Sequence, residues 1–421
     1  MALARGTDAL NRSSGAALEP AVAAGDRLPA LDGIRGAAMI LVFVNHAVAL
    51  PLAEATTRLD RAAHVIGYTG WVAIDAFFVL SGFLITGILL DTKGEPRWWP
   101  NFLARRVLRV FPLYYGALFV LFIVLPRLVR WSEPDFLTLQ ANQPWYWSYM
   151  VNLLAAHTRV RGTPLGTAHF WSLSVEEQFY LTWPLIVWAC KPRSLFRVAA
   201  LAAAGGLCFR LALVLRDPGN ARAAFFLTPG RLDGLMMGAA LAVVARMPGG
   251  LARAAGWAPR VLTTALIALG LLALLRGGLY VSDPVVAVAA YPVVALLFGA
   301  LLVMALTRPP ASRLVRVLSS DWLRSWGRYS YGIYVVHLPL LSAIEYKTTF
   351  YQHGVALLGG SRLPATLLLA VVGMSLSYML GWLSYHLYEK RFLALKRFFP
   401  RQPAATTVTA VERQSPAPSL V

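Results

Sequence analysis

Ten apolar runs, most of them about as long as a membrane-crossing helix, alternate with more polar connecting segments along the sequence. A helix needs about 20 predominantly apolar residues to cross the hydrocarbon core of a bilayer. The runs near 231–246 and 261–275 are short by that measure. We therefore predict an all-α integral membrane protein, a bundle of about ten transmembrane helices. The predicted spans are approximately 34–52, 71–90, 108–126, 174–190, 195–215, 231–246, 261–275, 285–306, 329–346 and 364–388.

Composition agrees with a chain whose main solvent is lipid. Of 421 residues, 57% are hydrophobic and 14% are charged, whereas soluble domains carry about 25% charged residues. A net charge of +19 would favour nucleic acid in a soluble protein. Here the basic residues cluster between apolar runs, so we expect no nucleic-acid partner. Both cysteines, Cys190 and Cys208, lie inside apolar runs, and we expect no disulfide and no metal site.

The distribution of Lys and Arg predicts the orientation. With a cytoplasmic N-terminus, 26 of these residues fall in inner segments and 12 in outer ones. Positive charge accumulates on the cytoplasmic side, so we expect both termini in the cytoplasm and the protein in the cytoplasmic membrane. The longest outer loop, 127–173, is rich in Trp and Tyr, and we expect it to lie on the bilayer surface.

The ends of the chain differ from its apolar middle. Residues 1–26 are rich in Ala, Gly and Ser, and residues 393–421 contain a stretch rich in Pro, Ala, Thr and Ser. Such compositions rarely form a packed core. We expect two disordered cytoplasmic tails around one transmembrane domain, 27–392.

His46 is the ionisable residue least expected in a span. It follows Arg35 by eleven positions, which on an α-helix places both side chains on one face about 16 Å apart. Ionisable groups inside a membrane are costly and usually functional. A histidine that only links helices is the alternative, and we favour function.

Three carboxylates lie near the predicted outer helix ends. Asp75 serves either as an interfacial carboxylate in a first helical turn or in a reaction. Ser174 and Glu177 fit a capping box, which explains Glu177 structurally. Glu176 has no such explanation. His46, Asp75 and Glu176 are compatible with one shared cavity.

Several further polar and aromatic residues have a structural or a functional interpretation. Arg105, Arg106 and Arg109 open the third predicted span and serve either as positive-inside anchors or as phosphate ligands. Arg231 and Asp233 form a candidate neutralising salt bridge at a helix end. In the segment 329–337, which includes Tyr331, the buried His337 is either functional or structural.

Taken together, these segments resemble the membrane acyltransferase family 3, the O-acetylases of surface polysaccharides and related acceptors. Six motifs in the same order carry the resemblance over about 27–392. They are Leu31-Asp-Gly-Ile-Arg35-Gly with His46, Asp75-Ala-Phe-Phe-Val-Leu-Ser-Gly-Phe83, Arg105-Arg106-Val-Leu-Arg109-Val-Phe-Pro112, Phe170-Trp-Ser-Leu-Ser-Val-Glu176-Glu-Gln-Phe-Tyr180, Arg231-Leu-Asp233 and Ser330-Tyr331-Gly-Ile-Tyr-Val-Val-His337.

The resemblance implies ten helices, an acyl-coenzyme A donor that is usually acetyl-coenzyme A, and an acceptor that is commonly a sugar hydroxyl. The intramembrane catalytic histidine of the family matches His46. Asn45 stands where a small residue often precedes that histidine. With a phosphate-rich donor implied, Arg105, Arg106 and Arg109 become candidate phosphate ligands together with Arg35, and Arg231, Asp233, Tyr331 and His337 are possible accessory residues.

We therefore expect a membrane-bound O-acyltransferase that moves an acyl group from acyl-coenzyme A to a hydroxyl of a carbohydrate or glycosylated acceptor. A neutral imidazole suits removal of the hydroxyl proton, and Asp75 or Glu176 would fix its tautomer. Whether His46 is a base or an acyl carrier stays open. The competing interpretation is a proton-coupled transporter or flippase of a glycan or lipid, which would also use buried His, Asp and Glu.

Overall fold

The computed structural model describes residues 28–53, 57–128, 134–158, 166–167, 169–347 and 360–401. Within these residues the protein is helical and contains no strand, which confirms the predicted all-α class. The predicted tail 1–26, and residues 402–421 of the predicted tail 393–421, lie outside the described residues.

Eleven helices form the framework of the described chain, and each of the ten predicted spans falls on one of them. The remaining helix, α2, lies on the connection between the first two predicted spans. The eleven are α1 (Pro29–Val44), α2 (Arg58–Tyr68), α3 (Ala73–Asp91), α4 (Trp98–Phe119), α5 (Phe170–Ala189), α6 (Pro192–Arg216), α7 (Leu232–Val244), α8 (Gly250–Arg276), α9 (Pro284–Thr307), α10 (Asp321–Lys347) and α11 (Leu363–Ser384).

Seven helical stretches in the described chain are long and apolar enough to cross a membrane, so the protein is a multi-pass membrane protein. Helices α5, α7 and α10 fall outside this set. Helix α7 has only 13 residues, while α5 and α10 carry polar side chains that face the protein interior. The seven stretches are Pro29–Ala49, Arg58–Asp91, Trp98–Leu128, Pro192–Arg216, Gly250–Arg276, Pro284–Thr307 and Leu363–Phe398.

Short helical pieces extend or connect the framework. Three are single π-helical turns that continue α1, α4 and α11, and π turns inside longer helices frequently occur at functional sites. The π turns are Asn45–Ala49, Val120–Val124 and Tyr385–Glu389, the 3-10 turns are Thr69–Val72, Pro218–Asn220, Thr228–Arg231 and Leu395–Phe398, and the short α-helices are Leu125–Leu128, Pro134–Ala141, Gln143–Trp147, Val151–His157, Ala221–Phe226, Arg313–Leu318 and Lys390–Ala394.

The long connection between α4 and α5 packs against the bundle more closely than predicted. Tyr146 and Tyr149 are buried, and the Tyr149 ring stacks on Tyr114 of α4 with a centroid separation of 4.0 Å. Other aromatic side chains of this connection, such as Trp145, are exposed. The expected placement on the bilayer surface is therefore wrong for the two tyrosines, whose aromatic rings complete the protein core instead.

Glycines bring the two central helix pairs into backbone contact. A Cβ at Gly82 of α3 would lie 2.0 Å from the Leu235 carbonyl oxygen of α7, and one at Gly327 of α10 would lie 1.8 Å from the Asp32 carbonyl oxygen of α1. Small residues at such positions let membrane helices approach closely. The α1–α10 and α3–α7 pairs therefore set the spacing of the helices around the site.

The C-terminal helix continues past residue 392, where we expected the transmembrane domain to end. The π turn after α11 leads into Lys390–Ala394 and a final 3-10 turn, Leu395–Phe398. This segment returns to α4, where Arg105 Nη1 donates to the Lys396 carbonyl over 2.9 Å and to the Phe399 carbonyl over 2.8 Å. Residues 395–401 thus form an ordered wall beside the arginines of α4.

Candidate active site

A cavity of about 490 Å³ runs between α1, α3, α4, α5 and α10. Its size falls within the range of roughly 300–1,000 Å³ typical of small-molecule sites. One end is cationic and the other is lined by hydroxyl groups. The glycine contact of α1 with α10 holds two of these five helices close together.

Arginines from several elements line the cationic end. Arg35 of α1 faces Arg105, Arg106 and Arg109 of α4, and all four line the cavity. Arg35 Nη1 donates to Asp32 over 3.3 Å. The Arg106 guanidinium lies over the rings of Phe102 and Tyr180 at 5.7 and 5.6 Å. The four arginines predicted as donor ligands are therefore brought together, although Arg35 belongs to a different helix.

Residues that the sequence analysis did not select add to this end. Lys396 and Arg401 of the C-terminal segment line the same cavity. Asp91 and Arg246 also line it and pair with each other, with Arg246 Nε 2.6 Å from Asp91 Oδ1. The Asp91–Arg246 pair is neutral, so the surplus cations come from α1, α4, the C-terminal segment and Arg328 of α10.

Glu176 lies in the wall of the cavity between its two ends. Ser81 Oγ of α3 donates to Glu176 Oε1 over 2.6 Å, and Ser81 Oγ also lies 3.2 Å from the Tyr180 hydroxyl. Helix α3 and helix α5 are thus joined across the cavity by polar side chains. Glu176, for which the sequence offers no capping role, therefore lies in the wall of the cavity.

Glu177 also lines the cavity, and the predicted capping box is wrong. Helix α5 begins at Phe170 with His169 as its N-cap, so Ser174 lies inside the helix and donates to the Phe170 carbonyl over 3.2 Å. Glu177 is 7% exposed, and its Oε1 has no hydrogen-bond partner among the described residues. It is a buried carboxylate that faces the cavity with one oxygen unsatisfied.

A hydrogen-bonded pair, Ser172 and Tyr334, lines the end of the cavity opposite the arginines. The two hydroxyl oxygens are 2.5 Å apart, and the Tyr334 hydroxyl also donates to the His169 carbonyl over 2.9 Å. Both residues line the cavity. One turn further along α10 lies His337, so this pair separates the cavity from a group of imidazoles.

Three histidines meet behind the pair. His46 Nδ1 lies 3.0 Å from His337 Nε2, and the His169 ring packs edge-on against His337 with centroids 4.9 Å apart. His46 sits in the π turn that ends the first helical stretch and is partly exposed, whereas His337 and His169 are buried. His46 does not line the cavity that Arg35 lines.

The hydrogen bonds assign the tautomers of the His46–His337 pair. A carbonyl oxygen only accepts, so His337 Nδ1, 2.7 Å from the Tyr334 carbonyl oxygen, carries the proton of the neutral ring. His337 Nε2 then accepts from His46 Nδ1, which leaves the lone pair of neutral His46 on Nε2. A second imidazole therefore orients His46, in the place where we expected Asp75 or Glu176.

Asp75 belongs to a separate buried cluster. It is 1% exposed, and Arg231 Nη2 lies 2.6 Å from its Oδ2. Asp233 pairs instead with Arg210 of α6. The predicted Arg231–Asp233 bridge is therefore wrong in its pairing, because α3 and α6 supply the partners. The expectation that His46, Asp75 and Glu176 share one cavity is also wrong, because of these three residues only Glu176 lines the main cavity.

Aromatic rings enclose the ion-pair cluster. The Arg231 guanidinium lies over Tyr291 at 4.4 Å and over Phe225 at 4.9 Å, and Arg210 lies over Tyr291 at 5.0 Å. The face of an aromatic ring attracts a cation electrostatically. Two acids, two guanidinium groups and this ring cage thus form a closed neutral unit between α3, α6, α7 and α9.

The remaining predicted accessory residues lie on α10. Tyr331 lines the cavity, and its hydroxyl donates to the Val110 carbonyl of α4 over 2.6 Å. His337 is the imidazole that contacts His46. His169 was not selected from the sequence, although it directly precedes the Phe170–Tyr180 motif, and its position beside a recognised motif was the available signal.

Comparison with known proteins assigns the family. The model of the family described as Acyltransferase domain matches residues 28–384. A putative peptidoglycan O-acetyltransferase of Bacillus subtilis is 30% identical over 345 residues, covering 75% of this chain and 48% of that protein. The peptidoglycan O-acetyltransferase of Listeria monocytogenes is 28% identical over 342 residues, covering 75% of this chain and 49% of that protein.

An O-acetyltransferase of Staphylococcus aureus is 25% identical over 362 residues, covering 78% of this chain and 52% of that protein. The chain therefore spans about half the length of the curated relatives it matches. No solved structure matches it.

Proposed function

The chain belongs to the membrane acyltransferase family 3, and we propose that it is a membrane O-acyltransferase. In this proposal it moves an acyl group from acyl-coenzyme A to a carbohydrate hydroxyl, and the acyl group is acetyl. One observation carries the proposal: a cavity leads from a cluster of arginines to the hydroxyl pair in front of the His46–His337 pair. The relatives are named for peptidoglycan, and we propose a cell-envelope glycan as the acceptor.

The donor is proposed to bind with its phosphates at the cationic end. Arg35, Arg106 and Arg109 line a cavity whose wall holds eight Lys and Arg side chains against four carboxylates. Guanidinium groups bind phosphate through paired hydrogen bonds. The thioester arm would lie along the cavity, past Glu176 and toward Ser172. Under the predicted orientation, this end opens to the cytoplasm, where acyl-coenzyme A is made.

His46 is proposed to act as the base. The acceptor hydroxyl gives its proton to His46 Nε2 while its oxygen attacks the thioester carbonyl carbon. The carbon–sulfur bond then breaks, and the coenzyme A thiolate takes the proton back from the imidazolium. His337 stabilises the imidazolium by accepting from His46 Nδ1. The partly exposed His46 ring admits the acceptor from the side opposite the donor cavity.

For the reaction, the acyl group must pass Ser172 and Tyr334, which close the end of the cavity through their hydrogen bond. We propose that this pair separates when the loaded donor enters. Asp75 has a different assignment: its ion pair with Arg231 stabilises the bundle, and it does not take part in proton transfer.

The proposal is tested by purified protein in lipid nanodiscs with acetyl-coenzyme A and a glycan acceptor. Coenzyme A release and ester formation, measured by thiol titration and mass spectrometry, should coincide. His46→Ala should lower the transfer rate by about 10²–10⁴-fold, the usual effect of losing a general base. His337→Ala should also lower the transfer rate, because His46 Nδ1 then loses the acceptor that fixes the His46 tautomer.

The matched control is His157→Ala, which removes an exposed imidazole outside the site and should keep parental activity. All variants are first checked for monodispersity and coenzyme A binding. A folded His46→Ala protein with near-parental transfer would exclude His46 as base. Transport of a glycan without coenzyme A release by the parent protein would favour a flippase instead.

A further inference from the structure

A second cavity of about 220 Å³ adjoins the cationic end of the first. Arg105, Arg106 and Arg401 line both cavities. The second cavity alone is smaller than the roughly 300–1,000 Å³ of a typical ligand site. It therefore fits part of a ligand whose remainder occupies the main cavity.

The walls of the second cavity combine aromatic rings with four arginines and one carboxylate, Glu95. Trp98 is held in place because its Nε1 donates to the Leu89 carbonyl over 3.0 Å, and Phe102 is buried beside it. Phe398 of the C-terminal segment also lines this cavity. Aromatic side chains bind nucleobases by stacking, and guanidinium groups bind phosphate, so the lining matches the chemistry of a nucleotide.

The C-terminal segment forms one wall of this cavity because α4 holds it there. Arg105 Nη1 donates to the carbonyls of Lys396 and Phe399, and Asn101 Nδ2 donates to the Pro400 carbonyl over 3.1 Å. These bonds place the Arg401 side chain at the junction of the cavities. Burial and the neighbouring Arg105 lower the pKa of Arg401, as expected where cations crowd together.

We propose that the segment 395–401 completes a nucleotide subsite, in which Arg106 and Arg401 bind the donor's phosphates and the second cavity holds its base. This inference rests on the proposed acyltransferase function. It divides the arginines of α4 by role: Arg106 is a ligand, whereas Arg105 is a positioning residue that fixes the C-terminal wall.

The test compares two donors, acetyl-coenzyme A and acetyl-pantetheine, which carries the same thioester arm without the nucleotide. Arg401→Ala and Phe398→Ala should each raise the KM for acetyl-coenzyme A about tenfold or more and leave the KM for acetyl-pantetheine unchanged. Arg105→Ala should give the same donor-dependent pattern, because it releases the wall without touching the thioester arm.

Arg391→Ala is the matched control. It removes an exposed cation from the neighbouring helix that lines neither cavity and should leave both KM values at the parental level. A chain ending at Arg401 should likewise keep the parental preference for acetyl-coenzyme A, whereas one ending at Ala394 should lose it.

Equal KM values for both donors in the parent, or parental values in Arg401→Ala and Phe398→Ala, would overturn the nucleotide subsite while leaving the acyltransferase proposal intact. A parent protein that turns over neither donor would instead overturn the proposed function itself. The two failures are therefore distinguishable in one set of assays.

Discussion

Two buried groups of arginines and carboxylates lie close together in this bundle, and they are built differently. In the ion-pair cluster, Asp75 and Asp233 each have one guanidinium partner, and aromatic rings cover the rest. In the cavity, eight Lys and Arg side chains face four carboxylates across open volume. Balanced charge with closed packing indicates a structural role, whereas unbalanced charge beside open volume indicates a binding site.

The largest effect is expected where the balanced cluster is broken. Asp75→Asn leaves the Arg231 charge buried without its partner, and removing one member of a buried pair typically costs about 3–5 kcal/mol. We expect a large loss of thermal stability in detergent, measured by size-exclusion chromatography after heating. Adding Arg231→Met to Asp75→Asn removes both charges and should recover much of the loss.

A parental melting temperature for Asp75→Asn would show that the ion pair is not structural. Failure of the double variant to recover would show that Arg231 stabilises the fold chiefly through its contacts with the surrounding rings.

A smaller effect of another kind is expected in the cavity. Arg106→Ala should leave the melting temperature near the parental value, because the contacts of this arginine among the described residues are with the rings of Phe102 and Tyr180 and leave no carboxylate unpaired. It should weaken coenzyme A binding by about 1.5–3 kcal/mol, the contribution of a charge-assisted hydrogen bond. Titration calorimetry measures the affinity.

Arg253→Ala, which removes an exposed arginine outside both cavities, is the control for net charge. A strong loss of stability in Arg106→Ala with unchanged affinity would place Arg106 with the structural group and remove the distinction between the two regions.

The smallest effect is expected for the same chemical change, carboxyl to amide, at Glu177, where the change in stability should have the opposite sign. Glu177→Gln replaces a carboxyl group by an amide, as Asp75→Asn does, but among the described residues no group hydrogen-bonds to Glu177 Oε1. We expect the free energy of unfolding to change by less than about 1 kcal/mol, toward greater stability, because Gln removes a buried carboxyl group that has an unsatisfied oxygen. Thermal unfolding of the two amide variants side by side measures the contrast. If Glu177→Gln destabilised the protein as much as Asp75→Asn does, the predicted contrast between the two variants would be refuted.

Most of the helices were predictable because most of the predicted spans are long apolar runs, and lipid-facing helices need little more than length and hydropathy. The arginines of α4 were predictable as a group because they are neighbours in sequence. The pairing of Arg231 with Asp75, 156 positions away, depends on the α3–α7 contact and has no local signal.

The same limit applies to the imidazoles. The sequence selected His46 and His337 individually, but they lie 291 positions apart and meet only through the α1–α10 contact. The capping box at Ser174 failed because α5 begins four residues earlier, at Phe170. Local patterns predicted elements and candidate residues, while partners depended on the tertiary packing.

The backbone contact between α1 and α10 has a mechanical consequence. At Gly327 nothing but hydrogen separates the two helices, so no flexible side chain can absorb a shift of one against the other. His337 lies on α10, and His46 lies in the π turn that continues α1. A shift of α10 against α1 would therefore change the distance between the two imidazoles and the packing at Gly327 together.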